Sequence, residues 1–166
     1  MPELFELYDN NRRPLGRVHP RGVPLPEGVY HVVISVWTVN ARDQILLTLR
    51  SPQKNFMPNL WESTSGSVHP GEASMDAALR ELREETGIVA SPEEIVFLGT
   101  TRKAASFVDI FVVRKSVDLS EVVLQAEETV AAKWVTFSQL QAMEKKGELA
   151  FPISYQFPPF QALFKN

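Results

Sequence analysis

The stretch from Gly66 to Ile88, GSVHPGEASMDAALRELREETGI, constrains the fold of this chain more than any other. Apolar Met75, Ala78, Leu79 and Leu82 recur at helical spacing and define one stripe that must face a core. Glu81, Glu84 and Glu85 fall on a neighbouring stripe. At about 100° per residue, Glu81 and Glu85 lie one turn apart and Glu84 lies beside Glu81. Pro70-Gly71 closes the preceding loop, Ser74 is the expected N-cap, and Gly87 with Ile88 suits a left-handed C-terminal cap with a hydrophobic contact. The segment reads as loop, helix of about three turns, and loop.

Crowding of this kind is unfavourable by itself. Like charges one turn apart cost a few tenths of a kcal/mol on an exposed helix, and more where burial strengthens the Coulomb term. A bound cation is the natural compensation. The fragment ELREE alone reads equally as a solvated helical face with Arg80 and Arg83 in local pairs.

Around this element the chain alternates strand and helix signals. A short strand is expected at Leu4 to Tyr8, then a turn-rich segment from Asp9 to Gly28 that holds four prolines and three glycines. A strand from Tyr30 to Val39 joins Gln44 to Leu49 through a hairpin at Asn40 to Asp43. Ser51 to Asn59 reads as a loop and Leu60 to Thr64 as a short strand. Further strands are expected near Ile95 to Thr101, Phe107 to Val113 and Ala131 to Val135. A helix is expected from Ser138 to Lys146 with Ser138 as N-cap, and a terminal helical turn at Pro158 to Phe164. This order predicts an α/β sandwich, with a sheet between helices, in one domain over residues 1–166.

Composition narrows the partners. The chain is 44% hydrophobic and 22% charged with a net charge of -3, which offers no broad basic footprint for duplex nucleic acid. It has no cysteine, so disulfides, thiolate metal sites and a cysteine nucleophile are ruled out. The start, MPELFELYDNN, lacks the basic and apolar stretches of a secretory signal, and the run Val29 to Val39 is too short to span a bilayer. A cytoplasmic protein with no membrane contact is expected.

The spacing Gly66, Glu72, Arg80-Glu81-Leu82, Glu84-Glu85, Gly87-Ile88 resembles the signature box of the Nudix hydrolases at every defined position. The resemblance implies an α/β/α sandwich with a mixed sheet, and a box that holds Mg²⁺ or Mn²⁺. It makes Glu81, Glu84 and Glu85 metal ligands with the Gly66 carbonyl as a further ligand, lets Arg80 orient Glu81, and gives Glu72 a supporting role. The residue types suit the cation, because Mg²⁺ takes hard oxygen ligands and keeps several waters. The implied reaction is hydrolysis of a small-molecule diphosphate linked to a group X, with a carboxylate accepting the proton of water. Glu84 is one candidate base; Glu127 and Glu128, ahead of AAKWVTFSQL, are others.

DNNRRPLGRVHPRG, YHVVISVWTVN and RSPQKNFMPNLWESTSGSV together resemble the Nudix branch related to isopentenyl-diphosphate isomerase. The isomerases use a cysteine just before the first box glycine and a metal-binding histidine just after it. Here Ser65 and Ser67 stand at those places, so hydrolysis is expected in preference to isomerisation. A catalytically silent nucleotide-binding domain is the other alternative. His31 lies near an isomerase ligand position but reads more simply as a sheet residue, and His19 as a loop-ordering one.

Candidate substrate contacts are Arg50, Lys54, Arg102 and Lys103 for phosphates, and Phe56, Trp61 and Phe107 for a base or an apolar group. The aromatic end FPISYQFPPFQALF is expected to cover the core, leaving a monomer, or else to form a homodimer.

Overall fold

The longest apolar run becomes the central strand of a mixed sheet. The computed structural model describes residues 2–151 and 155–164. Its strands are β1 (Leu4–Tyr8), β2 (Pro14–Pro20), β3 (His31–Val39), β4 (Ile45–Arg50), β5 (Trp61–Glu62), β6 (Thr64–Ser67), β7 (Ile95–Arg102), β8 (Ser106–Arg114) and β9 (Thr129–Val135). The helices are α1 (Ser74–Thr86), α2 (Phe137–Lys145) and the single turn α3 (Pro158–Gln161), which runs on into a 3-10 turn at Ala162–Phe164.

β3 pairs in parallel with β8 along its whole length, from His31 opposite Ser106 to Val39 opposite Arg114. Its other edge takes β6 antiparallel, with Ile34 opposite Gly66, and meets β4 only at the hairpin end. β4 in turn pairs with β5 and β9, and β7 closes the far side on β8. Such a strand, covered on both faces, must be apolar in both registers. β3 meets that requirement, because all but one of its residues beyond Val32 are buried.

Alternation along the strands then builds two cores. On one face Ile34, Val36, Leu46 and Phe111 pack against Ala77, Ala78 and Leu82 of α1. On the other, Trp37, Val39, Ile45, Leu47 and Ile110 pack against Leu140 and Met143 of α2 and against Phe160. Trp37 and Phe160 stack with ring centroids 4.4 Å apart, so the terminal aromatic segment covers the core. Residues 152–154 of that segment lie outside the described residues. The result is an α/β/α sandwich. Among the described residues, no helix is long and apolar enough to cross a membrane.

Three local expectations are corrected. The segment from Asp9 to Gly28 is not turns throughout: β2 pairs antiparallel with β1 in a separate two-stranded sheet. Its prolines, Pro14 and Pro20, sit at the strand ends, where the missing N–H is tolerated. The N-cap of α1 is Ala73, with no side-chain cap, because the Ser74 hydroxyl donates instead to Asp109 Oδ2 at 2.6 Å. In α2, Thr136 rather than Ser138 is the cap. Its Oγ1 accepts from the Gln139 N–H at 3.1 Å, while Gln139 Oε1 accepts from the Thr136 N–H at 2.8 Å, a reciprocal capping box. Gly87 does take the left-handed conformation, at φ 77°, and its N–H donates to the Arg83 carbonyl.

Candidate functional site

A cleft of about 1200 Å³ is lined by the glutamate edge of α1, by β3 and β6, by the β1–β2 sheet and by the loops before β5 and β9. β6 brings Gly66 to its floor beside β3, and α1 lays its glutamate stripe along the same edge. The contact between them is close. A Cβ on Gly66 would lie 2.3 Å from Glu81 Cδ and 2.4 Å from its Oε1, so only glycine lets the Glu81 carboxyl rest on this strand.

Arg80 ties the wall together. Its Nε and Nη2 donate to the two Glu72 oxygens at 2.8 and 3.0 Å, Nη2 also reaches the Ser67 carbonyl at 3.0 Å, and Nη1 donates to Glu81 Oε1 at 2.9 Å. A longer contact, 3.3 Å, runs to Glu84. The Arg80 hydrogen bonds hold Glu72 below the usual carboxylate range and raise Arg80 above its own. Glu72 therefore stands behind the wall, holding Arg80, and does not itself line the cleft.

The carboxylates nearest the floor behave differently. Burial raises Glu81 despite Arg80, and burial raises Glu85 well above the usual carboxylate range, reinforced by Glu62 and Glu81. Glu85 Oε2 is buried with no hydrogen-bond partner. Such an orphan is rare, since nearly all buried polar atoms are paired. Glu62 faces the same floor and is pushed up to about 7 by burial, even though Arg50 Nη1 donates to both of its oxygens at 3.0 and 3.2 Å.

Among the described residues, no three acidic or imidazole side chains close on one point. The carboxylates are gathered along a wall instead of being set in a finished cage. That suits Mg²⁺, which binds through one or two carboxylates plus waters and substrate phosphates. The hard-oxygen donor set and the orphaned Glu85 oxygen both fit a divalent cation.

The other expected residues divide. Gly66, Glu81, Glu84, Glu85, Arg80, Arg50, Lys54, Phe56, Glu127 and Glu128 all line the cleft. Arg50 is engaged: besides Glu62, its donors reach the carbonyls of Phe56 and Met57, which closes the loop from Ser51 to Asn59. Lys54 pairs with Glu128. Phe56 is 61% exposed at the mouth, tilted against Phe151. Trp61 is not in the cleft. It packs toward the α2 core with Lys133 over its ring. Arg102 is also elsewhere, donating to the Asn10 carbonyl and lying over Tyr30 and Phe107. Phe107 is buried in the α1 core.

His31 does line the cleft. Its ring stacks on Phe5 at 4.3 Å, and burial, then Arg21 and Lys103, push it down to about 4, so it is neutral at physiological pH. His19 reaches the Val23 carbonyl and orders its loop. Glu62 is the residue that sequence reasoning passed over. Its signal was a carboxylate inside a short strand, between Trp61 and Ser63, where a charged side chain needs a buried partner.

With the geometry in place, comparison with known proteins identifies relatives. The NUDIX domain family model matches residues 29–156. A Nudix hydrolase of Listeria monocytogenes is 38% identical over 152 residues, covering 88% of this chain and 87% of that protein. An isopentenyl-diphosphate isomerase of Paenarthrobacter aurescens is 35% identical over a shorter stretch, 57% of this chain and 52% of the isomerase. The crystal structure of the Deinococcus radiodurans protein DR0079 superposes with a TM-score of 0.79 at 21% identity, over 98% of this chain and all of that one.

Proposed function

The chain belongs to the Nudix family and is a Nudix pyrophosphohydrolase, and from that premise we propose that it hydrolyses a diphosphate linked to a group X by attack of water on phosphorus, with a divalent cation. The observation that carries this reading is Glu85: a carboxyl buried beside Glu81 and Glu62 at the cleft floor, with one oxygen lacking any partner. A group so placed is costly unless it meets a positive charge.

Glu81, Glu84 and Glu85, with the Gly66 carbonyl, are the residues that would hold Mg²⁺ or Mn²⁺. When bound, the cation supplies neutralisation of the phosphate oxygens and lowers the pKa of the attacking water. The protein's own part is positional. Arg80, fixed by Glu72, orients Glu81, and Gly66 leaves room for it. In the reaction, a water oxygen bonds to phosphorus, the bond from phosphorus to the bridging oxygen breaks, and a carboxylate takes the proton from water. Glu84, 42% exposed and facing the cleft, is the base favoured by position. Glu128 is already paired with Lys54, and Glu127 beside it has no such partner among the described residues.

Isomerase chemistry is disfavoured because Ser65 and Ser67 occupy the positions flanking Gly66. A serine there cannot provide the thiol. The test is release of phosphomonoesters or inorganic phosphate by the full chain from a panel of nucleoside diphosphate derivatives, sugar diphosphates and prenyl diphosphates, with Mg²⁺ or Mn²⁺. Turnover of at least one is expected. No turnover of any, with tight metal-free nucleotide binding, would sink the hydrolase reading in favour of a silent binding domain.

A further inference from the structure

The cleft is lined by five basic side chains outside histidine: Arg21, Arg50, Lys54, Arg80 and Lys103. Four of them are held by carboxylates, Arg21 by Glu3, Arg50 by Glu62, Lys54 by Glu128 and Arg80 by Glu72. Lys103 has no carboxylate partner among the described residues. Its ammonium instead lies 4.5 Å from the ring centroid of Phe151. An aromatic face compensates a half-buried cation only in part. Burial lowers the Lys103 pKa, and no neighbouring carboxylate counters that.

Its position is fixed by the sheet. The Lys103 N–H donates to the Ser106 carbonyl at 2.8 Å, and Ser106 stands opposite His31 at the start of β3. Gly66, where the Glu81 carboxyl rests, stands opposite Ile34. Three residues along a strand separate the two levels by roughly 10 Å. The acidic wall and the Lys103 ammonium thus line one cleft at different levels along β3.

Resting on the reading of the acidic wall as the diphosphate end, we propose that Lys103 anchors a phosphate of the substrate other than the two joined by the scissile bridge. The substrate class is then a diphosphate that carries further phosphate, either in line as a triphosphate or on the group X. An uncharged prenyl tail would leave the Lys103 ammonium unmet. Strand alternation explains why Lys103, and not its neighbour Arg102, has this place: Arg102 projects to the opposite side and clamps Asn10.

The test is calorimetric titration of the full chain, with Ca²⁺ present as the divalent cation, with three probes: pyrophosphate, tripolyphosphate, and a ribose bearing a diphosphate at one end and a monophosphate at the other. At least one three-phosphate probe should bind about tenfold or more tighter than pyrophosphate, the gain expected of one charge-assisted contact. Which one does so tells an in-line phosphate from one on X. Lys103→Met should erase that preference, and Lys103→Arg should keep it, which controls for folding. No preference in the parent chain, or a preference that survives Lys103→Met, would overturn the proposal. Failure of the hydrolase reading is distinguishable, since it appears as no turnover with Mg²⁺ while the Lys103-dependent preference persists.

Discussion

Two buried carboxylates, Asp109 on β8 and Glu85 on α1, sit on the same side of the sheet and meet opposite fates. Asp109 is fully served: Arg12 donates to both of its oxygens at 2.6 Å, and Ser74 and Thr100 add hydroxyl hydrogen bonds at 2.6 and 2.7 Å. These partners outweigh burial and hold its carboxyl below the ordinary range. Glu85 is buried with one oxygen unpaired, and its carboxyl is held well above that range. The difference is between a buried charge met within the fold and one that is not. A satisfied buried charge locks the N-terminal segment and the start of α1 onto the sheet, whereas an unsatisfied one is tolerated where a ligand completes it.

The strongest way to break this contrast is Glu85→Gln. Hydrolysis in Mg²⁺ should fall at least about a hundredfold in kcat, while the metal-free melting temperature should hold or rise, because a neutral amide is cheaper to bury. Full activity in the variant would end the assignment of Glu85 to the cation. The same pair of proteins gives a binding readout: Mg²⁺ should raise the melting temperature of the parent chain by mass action and raise that of Glu85→Gln much less.

Asp109→Asn should do the reverse. Urea denaturation at neutral pH should show a loss of about 2 kcal/mol, less than a fully buried pair because Arg12 is partly exposed. Activity per folded molecule should be close to the parent's. The pH dependence follows from the sign of the shift. With its folded pKa depressed, Asp109 binds fewer protons in the folded state than in the unfolded one. Its contribution is therefore present above the unfolded value of 3.8 and is lost as pH falls through the folded pKa. Acid titration of stability should be shallower in Asp109→Asn. The smallest effect is expected for Ser74→Ala, which removes one of the four hydrogen bonds to Asp109 and should cost about 1 kcal/mol without changing turnover.

Much of the sandwich could be read from the chain because it depends on local signals. The all-apolar β3, the helical stripe of α1 and the left-handed Gly87 each carry their own physics. What escaped reading depends on partners distant in sequence. Ser74 looks like a cap until Asp109, on a strand 35 residues away, claims its hydroxyl. β2 looks like loop because its strand character comes only from pairing with β1. Glu62 reads as an ordinary polar residue until folding puts it beside Arg50 and the box. Trp61 and Arg102 failed as cleft residues for the same reason, since the side of a strand that faces a cavity is set by tertiary register.

The β1–β2 sheet has a consequence for how such a protein changes. Glu3, Phe5, Arg21 and Gly22 line one side of the cleft, yet all precede residue 29, where the match to the family begins. This sheet is attached by the Tyr8–Tyr30 bridge, the stack of Phe5 on His31 and the clamp from Arg12 to Asp109. One wall of the cleft is thus built by a segment that lies outside the family match. On the proposed hydrolysis of an X-linked diphosphate, that segment can vary with X while the carboxylate wall and the sheet behind it keep their shape.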